Sequence, residues 1–315
     1  MKIILANPRG FCAGVNMAID TVQELIDLVG PPLWVYHEIV HNKHVVDRFE
    51  RQGVTFVDSI DEVPSNQTVI FSAHGISPAV RERAKQRDLR MIDATCPLVT
   101  KVHVEARRYA KQGCKILLIG HAGHDEVEGT FGEAPDAITI VESPEDVYAS
   151  DFSADDQMVY LTQTTLSVDD ANIIIEAIKD KYPHCTAPPK EDICYATTNR
   201  QYAVRALAGA ADLTLVVGST NSSNSVRLTE ISQTDGTPAK LLDDKTELRD
   251  EWFDGVETLL VTAGASAPED LVQDILQTLV DKFGGKVEES TLVDENVKFA
   301  LPVSLRVIKS QAAGA

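Results

Sequence analysis

The chain has 315 residues, 43% of them hydrophobic and 24% charged, enough to bury more than one ordinary core. A formal charge of −19 opposes the phosphate backbone of nucleic acids. No apolar run approaches the roughly 20 residues that cross a bilayer, and Met1 to Ala6 leads into no signal-peptide apolar region, so a cytoplasmic protein of two or three domains, binding neither nucleic acid nor membrane, is expected.

In chain order, residues 1–13 read as an N-terminal strand followed by a loop that carries Cys12. An amphipathic stretch from Cys12 to Leu28 predicts a helix, and the apolar run Leu33 to Tyr36 a buried strand. A polar loop from His37 to Asn42, a helix, a strand at Val54 to Val57, an acidic turn at Asp58 to Val63 and a strand with its loop at Val69 to Gly75 follow. The same order then starts again at Cys96: helix to Lys111, strand Ile116 to Ile119, loop Gly120 to Glu126, helix, strand Ile138 to Val141, turn Glu142 to Val147, strand and loop Val159 to Thr165. It starts a third time at Cys194: helix to Ala210, strand Leu213 to Val217, loop Gly218 to Asn224, helix, strand Lys240 to Leu242, turn Asp243 to Leu248, strand and loop Leu259 to Ser266.

The period is roughly ninety residues. Strands alternating with helices over short connections predict an α/β fold of three similar small domains, 14–95, 96–190 and 191–281, each with a parallel sheet. Arranged around a pseudo-threefold axis, the three cysteines and six polar loops would converge on a central cavity, at the carboxyl ends of the strands where ligands bind such sheets. Beyond Phe283 the pattern stops, and residues 282–315 are expected to form a tail laid over the domains with a frayed end.

Five cysteines, an odd number in a chain without an export signal, argue for free thiols or metal ligands rather than disulfides. Cys12, Cys96 and Cys194 each stand at a helix start, where the dipole favours a thiolate. Three such thiolates suit either one zinc with a water or an iron–sulfur cluster with one iron lacking a protein ligand. Cys114 and Cys185 do not share the repeat position and are expected to be buried structural residues.

The loops supply neutral donors. His41, His74, His124, Thr164, Ser222, Ser223, Asn224 and Ser266 together suit a phosphate or diphosphate, and no Walker-type loop or aspartate-rich magnesium motif is present. Glu126 beside His124 makes an apt proton-delivery pair, whereas His37, His44 and His121 are expected at the surface or behind the site. The basic stretches Arg81 to Arg90 and Lys101 to Lys115 read as solvated helix faces, with docking of a redox partner as the alternative.

The motifs Asn7-Pro8-Arg9-Gly10-Phe11-Cys12-Ala13-Gly14-Val15, Phe71-Ser72-Ala73-His74-Gly75, Asp93-Ala94-Thr95-Cys96-Pro97-Leu98-Val99, Gly120-His121-Ala122-Gly123-His124, Asp192-Ile193-Cys194-Tyr195-Ala196-Thr197-Thr198-Asn199-Arg200-Gln201 and Thr262-Ala263-Gly264-Ala265-Ser266 resemble the 4-hydroxy-3-methylbut-2-enyl diphosphate reductase family, also called IspH or LytB. The likeness runs from residue 1 to about 285. It implies reductive removal of the allylic hydroxyl to give isopentenyl and dimethylallyl diphosphates, the last step of the non-mevalonate isoprenoid pathway. It further implies a [4Fe-4S] cluster on Cys12, Cys96 and Cys194 with one open iron, and reduced ferredoxin or flavodoxin as electron donor. The family's proton donor maps onto Glu126, with His124 beside it and Thr164 near the leaving oxygen, and its diphosphate positions onto His41, His74, Ser222, Ser223, Asn224 and Ser266. A zinc hydrolase with Glu126 as general base, or a non-catalytic sensor on the same fold, are the competing readings.

Overall fold

The computed structural model describes residues 1–313. Its strands are β1 (Lys2–Asn7), β2 (Leu33–Tyr36), β3 (Val54–Val57), β4 (Thr68–Phe71), β5 (Arg90–Asp93), β6 (Lys115–Ile119), β7 (Ile138–Val141), β8 (Met158–Thr162), β9 (Leu213–Val217), β10 (Ala239–Leu242), β11 (Thr258–Ala263) and β12 (Lys286–Thr291). The helices are α1 (Ala13–Val29), α2 (Lys43–Glu50), α3 (Pro78–Gln86), α4 (Pro97–Lys111), α5 (Asp125–Phe131), α6 (Pro144–Ala149), α7 (Val168–Lys181), α8 (Tyr195–Ala208), α9 (Ser223–Thr234), α10 (Glu269–Phe283) and α11 (Val303–Ala313).

Three small parallel sheets are present, as the repeat predicts. Their strand orders are β3-β2-β4-β5, β7-β6-β8 and β10-β9-β11-β1-β12, so one three-stranded arrangement recurs, with the first strand of each repeat in the middle. Every pairing is parallel. Central strands read as continuous apolar runs because helices cover both faces: all five residues of β9 are buried, as are four of five in β6. The acidic turns also have a physical role. Ser143 caps α6 by accepting the Asp146 N–H while the Asp146 carboxylate accepts from Ser143, and Ser59 and Glu62 form the same reciprocal cap.

The chain divides into two compact units: residues 1–16, 41–48 and 195–298 form one, and residues 17–40, 49–194 and those from 299 on form the other. In the first unit, the sheet built from β9 to β12 and β1 packs α10 on one face through Leu271, Val272, Ile275, Leu276 and Leu279, and Val204, Ala208, Leu228 and Ile231 on the other. In the second unit, the β6–β8 sheet buries Ile116, Leu118 and Val159 against Val102 and Ala106 of α4, with Leu117, Ile119 and Val147 beside α7.

Of the segment 282–315, the described residues past the end of α10 include β12, which pairs along the full length of β1, and α11. The expected frayed end at Gly314 and Ala315 lies outside the described residues. Among the described residues no helix is long and apolar enough to cross a membrane.

Candidate active site

Each of the three repeat cysteines is fixed by the same backbone hydrogen bond. Cys12 N–H donates to the Ala265 carbonyl at 3.2 Å, Cys96 N–H to Ala73 at 3.0 Å and Cys194 N–H to Thr164 at 3.0 Å. The acceptor lies two residues past the end of β11, β4 and β8 respectively, so the same contact recurs in all three repeats. A helix begins directly after each thiol, at Ala13, Pro97 and Tyr195. No cysteine forms a disulfide and all are partly exposed.

Cys114 and Cys185 lie elsewhere, packed on the apolar clusters of the second unit, as expected of structural residues. Burial pushes the Cys185 thiol up to about 12, which leaves it without thiolate near neutrality.

The loop before Cys12 is held from inside the first unit. Gly10 has a φ of 63°, and a side chain there would meet the Ala267 carbonyl. Its own carbonyl accepts from Arg200 Nη2 at 2.7 Å. Arg200 is completely buried and pairs with Glu295, whose Oε1 also accepts from Asn199 at 3.0 Å. Arg9 bridges Glu269 at 2.7 Å and Glu289 at 3.0 Å.

In the same unit, the polar loops gather around one hydroxyl. Ser222 caps α9, accepting the Ser225 N–H at 3.4 Å, and its Oγ also accepts from the Ser225 hydroxyl at 3.0 Å and from the Ser266 hydroxyl at 3.2 Å. Ser266 Oγ lies 2.9 Å from the His41 carbonyl as well. Gly264 permits this crowding, because any Cβ there would collide with Ser225 Oγ. Ser223 and Asn224 form the first turn of α9. Asn224 is 4% exposed, and both amide atoms lack a hydrogen-bond partner among the described residues; the Asn42 amide nitrogen is in the same state. Leaving such groups unpaired in a closed protein costs roughly 1–3 kcal/mol each.

In the second unit, Glu126 is 3% exposed in the first turn of α5. Its carboxylate accepts the Thr164 N–H at 2.7 Å and the Thr164 hydroxyl at 3.0 Å. His124 caps the helix, its Nδ1 accepting the Glu126 N–H at 3.1 Å, so a neutral ring carries its proton on Nε2 and presents a donor there. The His74 ring stands edge-on to that of His124, with centroids 6.0 Å apart, and His74 Nδ1 is 3.4 Å from the Ser72 hydroxyl. The structure therefore brings His74, His124, Glu126, Thr164 and the backbone of Cys194 together in one neighbourhood.

Two further residues connect to this neighbourhood, of which Asp192 was not singled out from the sequence. His37, expected at the surface or behind the site, donates through Nδ1 to Asp125 at 2.5 Å, and Asp125 also lies 3.9 Å from His74. That bond raises the His37 pKa against the opposing effect of burial. Asp192, two residues before Cys194, accepts from Thr162 N–H at 3.0 Å and from Lys101 at 2.5 Å; burial pushes its carboxyl up, against the pull of Lys101. His44 Nε2 lies 2.9 Å from the Asp244 carboxylate, and His121 Nδ1 lies 3.4 Å from Glu142.

Comparison with known proteins places these residues in a family. Residues 3–280 match the model of the LytB protein family. The chain is 52% identical over 315 residues to the 4-hydroxy-3-methylbut-2-enyl diphosphate reductase of Rhodopirellula baltica, covering 100% of this chain and 99% of that one. It is 52% identical over 310 residues to the enzyme of the same name from Actinobacillus succinogenes, covering 98% and 99%. Among solved structures, the E-1-hydroxy-2-methyl-but-2-enyl-4-diphosphate reductase of Plasmodium falciparum superposes with a TM-score of 0.96 at 43% identity, over 98% of both chains. A second, described as (E)-4-hydroxy-3-methyl-but-2-enyl diphosphate reductase, the terminal enzyme of the non-mevalonate pathway, gives 0.64 at 29% identity, over 89% of this chain and 100% of the other.

Proposed function

Because the chain belongs to the LytB protein family, we propose that it is a cytoplasmic 4-hydroxy-3-methylbut-2-enyl diphosphate reductase acting at the last step of the non-mevalonate route to isoprenoids. The observation that carries the reading is the chain of bonds from the buried Glu126 carboxylate through Thr164 to the backbone of Cys194. It ties a candidate proton donor to a candidate metal ligand through one residue.

The donor set fits an iron–sulfur cluster. Three thiols recur at equivalent helix starts, none in a disulfide, and thiolate is the ligand such clusters take. Cys12, Cys96 and Cys194 would hold a [4Fe-4S] centre with one open iron, which supplies electrons and Lewis acidity to the allylic hydroxyl when bound.

The remaining chemistry belongs to side chains. Two electrons and two protons convert the allylic alcohol into an alkene and water. Glu126, once protonated on Oε2, donates to Thr164 Oγ1, whose own hydrogen then turns to the departing hydroxyl, so the C–O bond breaks to release water rather than hydroxide. His124 offers its Nε2 proton to the same neighbourhood. His41, His74, Ser222, Ser223, Asn224 and Ser266 bind the diphosphate, with the N-terminal turn of α9 and the unpartnered Asn224 amide supplying donors. Reduced ferredoxin or flavodoxin delivers the electrons.

Turnover of the allylic diphosphate with dithionite and a viologen mediator under anaerobic conditions tests the reading. Formation of isopentenyl and dimethylallyl diphosphates is expected; binding without product would leave only a sensor.

A further inference from the structure

Helix α4 begins directly after Cys96, and its solvent face is basic within an acidic chain. Residues 81–115 carry ten Lys and Arg against four Asp and Glu, a local excess of six positive charges; with a formal total of −19, the remaining residues carry −25. On α4 the exposed positions are Pro97, Thr100, Val104, Arg107, Arg108 and Lys111, which recur at helical spacing and include no acid. The one acid of the helix, Glu105, is buried beside Lys101.

Within this stripe the charges differ in what holds them. Arg107 is tied to Glu133 at 2.8 Å and Lys101 to Asp192. Among the described residues, Arg108 and Lys111 make no such ion pair, and the Arg108 guanidinium lies over the Tyr109 ring, 4.5 Å from its centroid. Val104, 46% exposed, sits between Thr100 and Arg108 as an apolar centre with a cationic rim. A small apolar centre with charges around it is the anatomy of a transient protein interface.

We propose that this face of α4 docks a small acidic electron-carrier protein. The inference rests on the reductase reading, which requires electrons from outside the chain. Charge complementarity argues for the partner and the place: the residues outside 81–115 carry a formal −25, which disfavours an acidic carrier elsewhere, whereas Arg108 and Lys111 of this stripe attract it. The stripe starts at the residue after a proposed cluster ligand, and Val104 lies roughly 12 Å along the helix axis from Cys96 at about 1.5 Å rise per residue.

The test compares the parent with Arg108→Glu/Lys111→Glu and with Val104→Asp, using two reductants. With dithionite and viologen, all three proteins are expected to turn over alike. With reduced ferredoxin, kcat/KM of both variants should fall about tenfold or more at low salt, and the parent's decline with rising ionic strength should flatten in the charge-reversed variant. Equal ferredoxin-driven rates in parent and variants would overturn the proposal. So would equal loss with both reductants, which would mark a structural role. A parent inactive with dithionite would instead defeat the reductase reading, and titration of fluorescently labelled ferredoxin against parent and variants would still decide whether the face binds it.

Discussion

The Thr164 carbonyl accepts the Cys194 N–H at 3.0 Å while the amide and hydroxyl of the same threonine bind the Glu126 carboxylate at 2.7 and 3.0 Å. One residue therefore fixes both the acid and the end of the loop that presents the thiol. Glu126 is buried, and in the proton delivery proposed above Thr164 is the partner that passes its proton on.

Glu126→Gln keeps the size of the side chain and its hydrogen-bonding capacity but cannot supply a proton. Cluster content and substrate affinity should be retained while kcat falls by roughly 10²–10⁴. Thr164→Val removes only the hydroxyl step and should lower kcat with little change in iron content. Single-turnover kinetics measure both; unimpaired Glu126→Gln would remove that residue from proton delivery.

The cysteines should separate into two classes. Serine at position 12, 96 or 194 is expected to abolish cluster retention, whereas Cys114→Ser and Cys185→Ser should keep it. In cluster-free protein at about pH 8, iodoacetamide should modify Cys185 far more slowly than the other thiols, since burial holds its pKa up at about 12. Mass mapping of the labelled peptides checks the order.

The Glu295→Ala variant leaves the fully buried Arg200 guanidinium without its carboxylate. Removing one partner of a buried pair costs about 3–5 kcal/mol, so the denaturation midpoint should drop sharply. Glu295→Asp should recover part of the loss. Because Arg200 also holds the Gly10 carbonyl, the alanine variant is expected to lose its cluster to air faster than the parent.

His37 titrates higher in the native protein than in the unfolded chain, chiefly through its bond to Asp125 and in spite of burial. The native state then binds that proton more tightly, so the stabilisation is fully present below the unfolded value of 6.5 and is lost as pH rises through the raised native one. His37→Asn should be less stable than the parent in mild acid, with the difference shrinking as pH rises above that range. Urea midpoints across pH measure it, and a gap that widens toward alkaline pH would contradict the assignment.

Much of this was legible because the signals are local and repeated three times. The helices after Cys12, Cys96 and Cys194 and the apolar strands behind them are set by periodicity within a few residues of each cysteine. β12 was not legible: five of its six residues are exposed, three are charged, and its partner β1 lies at the other end of the chain. β5 has only one fully buried residue of four and reads as the end of a basic helical stretch. The bond of His37 to Asp125 was not legible for a similar reason, since the two lie 88 residues apart. The pairing of Arg200 with Glu295 joins positions 95 residues apart and leaves no local pattern.

Iron, zinc and acid-labile sulfide determined on protein purified without oxygen bear most directly on the metal centre. About four iron and about four sulfide per chain, lost together when Cys12, Cys96 or Cys194 is replaced by serine, is the expected result. Stoichiometric zinc without sulfide, or a full complement of iron and sulfide in all three serine variants, would contradict it.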